Sequence, residues 1–147
     1  MARLYGLPGH LIRRCHQIVG GLFAEALSTS DLTPMQYAAL TAIRAHPEID
    51  ATRLSRLIVF DKSTLGSVLE RLEAKQLIWR EASPRDRRAK RLRITPAGTR
   101  LIERADPIVD RVEADFLAPL PAADRTRLVR LLRRVVAGHA ADEAKLT

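Results

Sequence analysis

Three features of the chain could do chemistry, and all of them point to binding a polyanion. The first is a run of small hydroxyl and cationic side chains, Lys62, Ser63, Thr64, Ser67 and Arg71, spaced to share one face of a helix. The second is a basic block from Arg80 to Arg93, with seven basic residues against Glu81 and Asp86. The third is the place of the charge. The chain is 147 residues long with a net charge of +8, and residues 51–100, with 13 basic and 5 acidic residues, hold all of that excess. A local positive block flanked by patterned apolar segments is the electrostatic footprint of phosphate binding, whereas a disordered basic tail would lie at a terminus.

The elements that position these residues read as four helices, a hairpin and two more helices. The first helix is expected over 8–27, with Leu11, Cys15, Ile18 and Leu22 on one stripe and Ile12, His16, Val19 and Phe23 beside it. So wide a double stripe suggests burial on more than one side. Ser28 to Asp31 breaks it. Thr33, Pro34 and Gln36 form a capping-box start for a second helix that ends near His46-Pro47. Asp50 caps a short third helix, Ala51 to Leu57, with Leu54, Leu57 and Ile58 inward, and Asp61 caps a fourth with Leu65, Val68, Leu69 and Leu72 inward. A short helix, a tight Val59-Phe60 link and a second helix place the start of that second helix in a major groove. There the hydroxyls can meet base edges or phosphate oxygens.

Leu77–Glu81 and Arg91–Ile94 read as strands around the turn-rich loop Ser83–Arg88, a wing with a basic tip. Arg85, Arg87 and Lys90 are expected to contact phosphate, and Asp86 to orient Arg88, with simple turn capping by Asp86 as the alternative. Thr95-Pro96 opens a helix in which Pro107 should cause a kink, and Pro121 opens a last helix that Gly138 should stop. Leu101, Ile108, Val112, Phe116, Leu128, Leu132 and Val136 are more apolar surface than a single DNA-reading module needs. Their simplest use is pairing across a two-fold axis, although an ordinary intrachain core would also take them.

The segments Leu32-Thr33-Pro34-Met35-Gln36-Tyr37, Asp61-Lys62-Ser63-Thr64-Leu65, Leu69–Lys75, Asp86-Arg87-Arg88-Ala89 and Leu92–Gly98 together resemble the multiple antibiotic resistance regulator (MarR) family. Within it, Leu-Pro-Gly-His-Leu-Ile-Arg-Arg, from Leu7 to Arg14, resembles the branch that controls aromatic-acid catabolism. The resemblance implies a mostly α fold, a winged helix-turn-helix over 31–99, with 1–30 and 100–147 as a helical dimerisation region. It also implies a homodimer on a palindromic double-stranded operator, released by a small aromatic acid such as a benzoate, hydroxycinnamate or pyridine carboxylate. His10, Arg14, His16 and Tyr37 are then the candidate effector contacts, an imidazole beside a guanidinium being suited to a carboxylate or ring hydroxyl. Gln76 departs from the resemblance: the family usually has glycine there, so the turn into the wing should differ locally.

Other functions fare worse. The chain has no Walker loop, G-x-G-x-x-G, H-E-x-x-H or G-x-S-x-G, and its four histidines are scattered, so no enzyme, metal site or cofactor is expected. At 4% aromatic content it lacks the stacking platform of RNA modules, and a non-specific architectural binder would need only charge. The single cysteine, Cys15, excludes an intramolecular disulfide and leaves oxidant sensing as a minor alternative to a small core residue. The start of the chain has no signal-peptide pattern and no apolar run spans a membrane, so a cytoplasmic protein is expected.

Overall fold

The computed structural model describes residues 2–82 and 90–143. Among these, the order is α1 (Ala2–Tyr5), α2 (Pro8–Leu27), α3 (Pro34–Ala45), β1 (Ile49–Asp50), α4 (Ala51–Leu57), α5 (Lys62–Ala74), β2 (Ile78–Ala82), β3 (Lys90–Ile94), α6 (Pro96–Phe116) and α7 (Ala122–Glu143). The expected helices and hairpin are all present. The helix starts follow from caps within three residues. Gln36 N–H donates to Thr33 Oγ1 at 3.2 Å while Thr33 N–H donates to Gln36 Oε1 at 3.1 Å, and Arg53 N–H donates to Asp50 Oδ1 at 2.8 Å.

The chain forms two compact units, Met1–Val112 and Glu113–Thr147. In the first, α3, α4 and α5 surround a core of Leu40, Ile43, Leu54, Leu65, Leu69 and Leu72, closed by Ile78, Leu92 and Ile102. The antiparallel sheet has the order β1-β3-β2, with Ile49 opposite Leu92 and Ile78 opposite Ile94. Strand β1 was not expected. It has two residues, and its partner lies more than forty positions away. Leu57, expected inward, is half exposed. On the seven-residue α4 the buried arc is centred on Leu54, Ser55 and Ile58, and Leu57 falls to its side.

Two helix ends use left-handed residues that are not glycine. At the end of α4, Val59 has φ 57° and Phe60 N–H donates back to Ser55 O at 3.0 Å. At the end of α5, Gln76 has φ 56°, its N–H donates to Glu73 O at 2.8 Å, and Leu77 N–H donates to Leu72 O at 2.9 Å. That pair of bonds is a Schellman stop, with Leu72 and Leu77 both buried. The turn into the wing is thus kept despite Gln76, and strain accommodates the side chain. A left-handed non-glycine residue costs about 1–2 kcal/mol, part of which glycine returns as chain entropy in the unfolded state. Gln76→Gly should therefore stabilise the protein by about 1 kcal/mol and raise Tm by roughly 3 °C, measured by calorimetry.

The wing is tied to α6 by Thr95. Its N–H donates to Leu77 O at 3.0 Å, its hydroxyl donates to Gln76 O at 2.8 Å, and its Oγ1 accepts from Gly98 N–H at 3.0 Å. Helix α6 continues through Pro107.

In the second unit, Arg125 Nε donates to Leu120 O at 2.8 Å and braces the turn before α7. Gly138 does not stop α7, which runs on to Glu143. No glycine among the described residues has positive φ, and Gly138 sits between alanines, valines and His139, which sustain a helix. Helix α7 buries none of its side chains over residues 122–139, and Val129, Leu131, Leu132, Val135 and Val136 are exposed. Val112, by contrast, is buried within the chain, and Leu101, Ile108, Phe116 and Leu128 are partly covered. Helix α2 also leaves Leu11, Ile12 and Ile18 about half exposed.

Candidate nucleic-acid interface

Helix α5 buries Leu65, Val68, Leu69 and Leu72 and turns Lys62, Ser63, Ser67 and Arg71 to solvent, with Thr64 half-buried at its first turn. The exposed polar face of a helix docked on its neighbour α4 is the arrangement that enters a major groove. At its tip, Asp61 Oδ1 accepts from Thr64 N–H at 2.8 Å and from Ser63 Oγ at 2.7 Å, while Oδ2 accepts from Thr64 Oγ1. The hydroxyl of Thr64, then its N–H, then the hydroxyl of Ser63 hold the Asp61 carboxyl well below the usual carboxylate range. Ser67 Oγ makes a long bond to Ser63 O at 3.4 Å. Asp61 was legible as a cap; its hold on both hydroxyls was not.

The hairpin sets Trp79 opposite Arg93 and Glu81 opposite Arg91, with Ala82 opposite Lys90. Lys90 is exposed where β3 begins. Two cations of the basic block are paired with carboxylates of the same chain. Arg80 reaches Glu73 at 3.3 Å and Arg91 reaches Glu48 at 2.7 Å. Arg85, Asp86, Arg87 and Arg88 lie outside the described residues, and with them the expected pairing of Asp86 with Arg88.

A second polar cluster lies between α3 and α6. Tyr37 Oη donates to Asp106 Oδ1 at 2.7 Å, and Arg44 Nη2 meets Asp106 Oδ2 at 3.3 Å. Burial, then the hydrogen bond and negative charge of Asp106, push the Tyr37 phenol up to about 12, against the opposing pull of the Thr41 hydroxyl and then of Arg44. Tyr37 is thus a neutral hydrogen-bond donor at physiological pH. Thr41 Oγ1, one turn along α3, is buried beside the Tyr37 phenol, near enough to oppose the rise in its pKa but without well-formed hydrogen-bond geometry. Tyr37, Thr41 and Arg44 occupy positions i, i+4 and i+7 of α3, so their common face could have been read from the sequence. Asp106, 69 residues beyond Tyr37, could not.

The other candidate effector residues stand apart from this cluster in the described hydrogen bonds and ion pairs. His10 is half-buried, with its ring edge-on to Tyr5 at 5.4 Å and its Nε2 buried without a partner among the described residues. Arg14 and His16 are exposed, as is Cys15. The apolar stripe of α2 therefore does not bury His16 or Cys15 within one chain, so Cys15 is not the small core residue expected of it there.

No helix among the described residues is long and apolar enough to cross a membrane. The sequence profile of the MarR family matches residues 30–89, from the approach to α3 to the residue before β3. A putative transcriptional regulatory protein for the hcr operon of Thauera aromatica is 36% identical over 131 residues, 88% of this chain and 79% of that protein. Among solved structures, Bordetella bronchiseptica BpsR, described as regulated in DNA binding by 6-hydroxynicotinic acid, superposes with a TM-score of 0.84 at 30% identity, covering 89% of this chain and 94% of that one. The transcriptional repressor CouR, solved on a 23-mer DNA duplex, gives a TM-score of 0.85 at 27% identity, covering 92% and 96%. The exposed polar face of α5, the hairpin behind it and these likenesses agree, and the chain belongs to the MarR family of winged helix-turn-helix transcriptional regulators.

Proposed function

We propose that this regulator is a cytoplasmic homodimer that represses by occupying a palindromic operator and is released by a small aromatic carboxylic acid. The residues 1–30 and 100–147 form the dimerisation region and 31–99 the DNA-reading region. Lys62, Ser63, Thr64, Ser67 and Arg71 enter the major groove, while Lys90, with Arg85 and Arg87, positions the wing on phosphates and Asp86 orients Arg88. The observation that carries the effector reading is the half-buried cluster of Tyr37, Arg44 and Asp106 beside the buried Thr41 hydroxyl. It offers a guanidinium, the Thr41 hydroxyl and the lone pairs of a phenol whose proton Asp106 holds, which suit a flat ring bearing a carboxylate and a hydroxyl. The description of BpsR names such an acid. His10, Arg14 and His16 on α2 are the further candidate effector contacts of this reading.

An acid bound there shifts the dimer from its operator only by its differential affinity for the free and DNA-bound conformations, a coupling of typically about 1–3 kcal/mol. Labelled operator is titrated, by fluorescence anisotropy, with benzoates, hydroxycinnamates and pyridine carboxylates. At least one acid should weaken operator binding about tenfold or more. Tyr37→Phe should keep operator affinity near that of the wild type while requiring up to about tenfold more hydroxylated acid for release, from loss of the hydrogen bond that the phenol oxygen accepts from the ring hydroxyl. If no acid moves the wild-type curve and mild peroxide does, Cys15 takes the sensing role instead.

A further inference from the structure

The tip of α5 carries a restriction on what it can read. A serine or threonine hydroxyl has one proton to donate and two lone pairs to accept with, and it usually rotates to suit its partner. At Ser63 and Thr64 that choice is already made, because both protons are directed at the Asp61 carboxylate. The carboxylate is ionised and has no proton to return. What remains facing outward from both hydroxyls is lone pairs.

Phosphate oxygens only accept, so neither hydroxyl is a phosphate contact while Asp61 holds it. In the major groove, guanine shows N7 and O6 and thymine shows O4, all acceptors, whereas the donors are adenine N6 and cytosine N4. Lys62, next to them on the same exposed turn, has the opposite polarity, with three donors and no acceptor. The tip therefore presents acceptors at Ser63 and Thr64 beside a donor at Lys62.

We propose that Asp61 is a specificity-positioning residue which fixes Ser63 and Thr64 as acceptors, so that the bases read beneath them are adenine or cytosine and not guanine or thymine. This rests on the DNA-reading role of α5 and adds the sign of the readout to it. It also gives Asp61 a use beyond capping, one that accounts for a carboxylate at the surface that approaches DNA.

The test is selection from a random duplex pool by the full-length protein, followed by competition among single-base variants of the selected site. Ser63→Ala and Thr64→Val locate the two positions, as those whose base preference each substitution erases. At these positions the wild type should favour adenine or cytosine over guanine or thymine by about tenfold, the scale of one good base contact. Replacing the adenine there by 2-aminopurine, which moves the amino group to the minor groove, should cost a similar factor. Asp61→Asn keeps a good cap but puts a donor where an acceptor stood and frees a hydroxyl proton, so the preference should fall below about threefold and guanine or thymine be admitted. Asp61→Ser, a cap with one acceptor atom, should relax it likewise, and circular dichroism melts confirm that both variants fold. A wild-type preference for guanine or thymine at the located positions would overturn the inference. So would Asp61 variants that weaken all sites equally with unchanged preference, since Asp61 would then be a cap alone. A wild type that selects no sequence at all would instead refute the DNA-reading role on which this rests.

Discussion

Gly98→Ala is expected to destabilise the protein by about 3 kcal/mol, at the upper end of the usual cost of overpacking. A methyl group at Gly98 would lie inside contact distance of the Leu77 carbonyl oxygen and 2.8 Å from Ile94 Cγ1. Neither neighbour can yield cheaply. Leu77 O is backbone, it accepts the Thr95 N–H, and its residue forms the Schellman stop of α5. Ile94 is part of β3, paired with Ile78. Relief would require α6 to move away from the hairpin, breaking the Thr95 bonds to Gln76 and Gly98. Chemical denaturation should show the lost stability as a lowered midpoint with an unchanged slope. Because Leu77 leads directly from α5 into β2, operator affinity should fall even where the variant remains folded. A Gly98→Ala protein of wild-type stability would mean that α6 does not pack against the hairpin as described.

Leu132→Glu is expected to separate the protein into folded monomers that scarcely bind operator. Leu132 is exposed within the chain, so the substitution leaves the intrachain core untouched. In the proposed dimer it would bury a charge without a partner, on the order of 3–5 kcal/mol. Two half-sites bound by one linked dimer gain about 10²–10⁴ in avidity over independent binding, and the variant should lose a factor of that order. Sedimentation at micromolar concentration reads the assembly, and far-UV circular dichroism reads the fold. A wild type that sediments as a monomer would remove the dimer from the account.

The parts of this fold that were legible in the sequence are those decided within a few residues. Thr33, Asp50 and Asp61 each mark a helix start because their partners lie three positions on, and α5 shows its buried face through Leu65, Val68, Leu69 and Leu72. Long-range pairings were not legible. Strand β1 exists only because Ile49 and Asp50 meet Leu92 and Arg91. The cluster of Tyr37, Arg44 and Asp106 joins α3 to α6, so sequence reading found the tyrosine without its partners. Left-handed turns were legible at one end of α5 and hidden at the end of α4. Gln76 stood where a glycine was expected, whereas Val59 is β-branched, among the poorest residues for positive φ, and gave no signal. Gly138 misled for the converse reason, since a glycine flanked by helix formers is carried along by them. The hydroxyls of Ser63 and Thr64 were correctly placed on the exposed tip, but their orientation depended on how Asp61 divides its two oxygens.

In the proposed function the α5 face reads sequence and does not merely neutralise phosphate. It is tested most directly by competing duplex from upstream of the protein's own gene against random duplex of equal length, across a salt series. A sequence-reading α5 should prefer the upstream site by at least about 10³ at physiological salt. Ser67→Ala should shrink that preference, while Lys90→Ala should weaken both duplexes alike and flatten the salt slope by about one unit. Equal affinity for the two duplexes, with the two variants behaving alike, would contradict it.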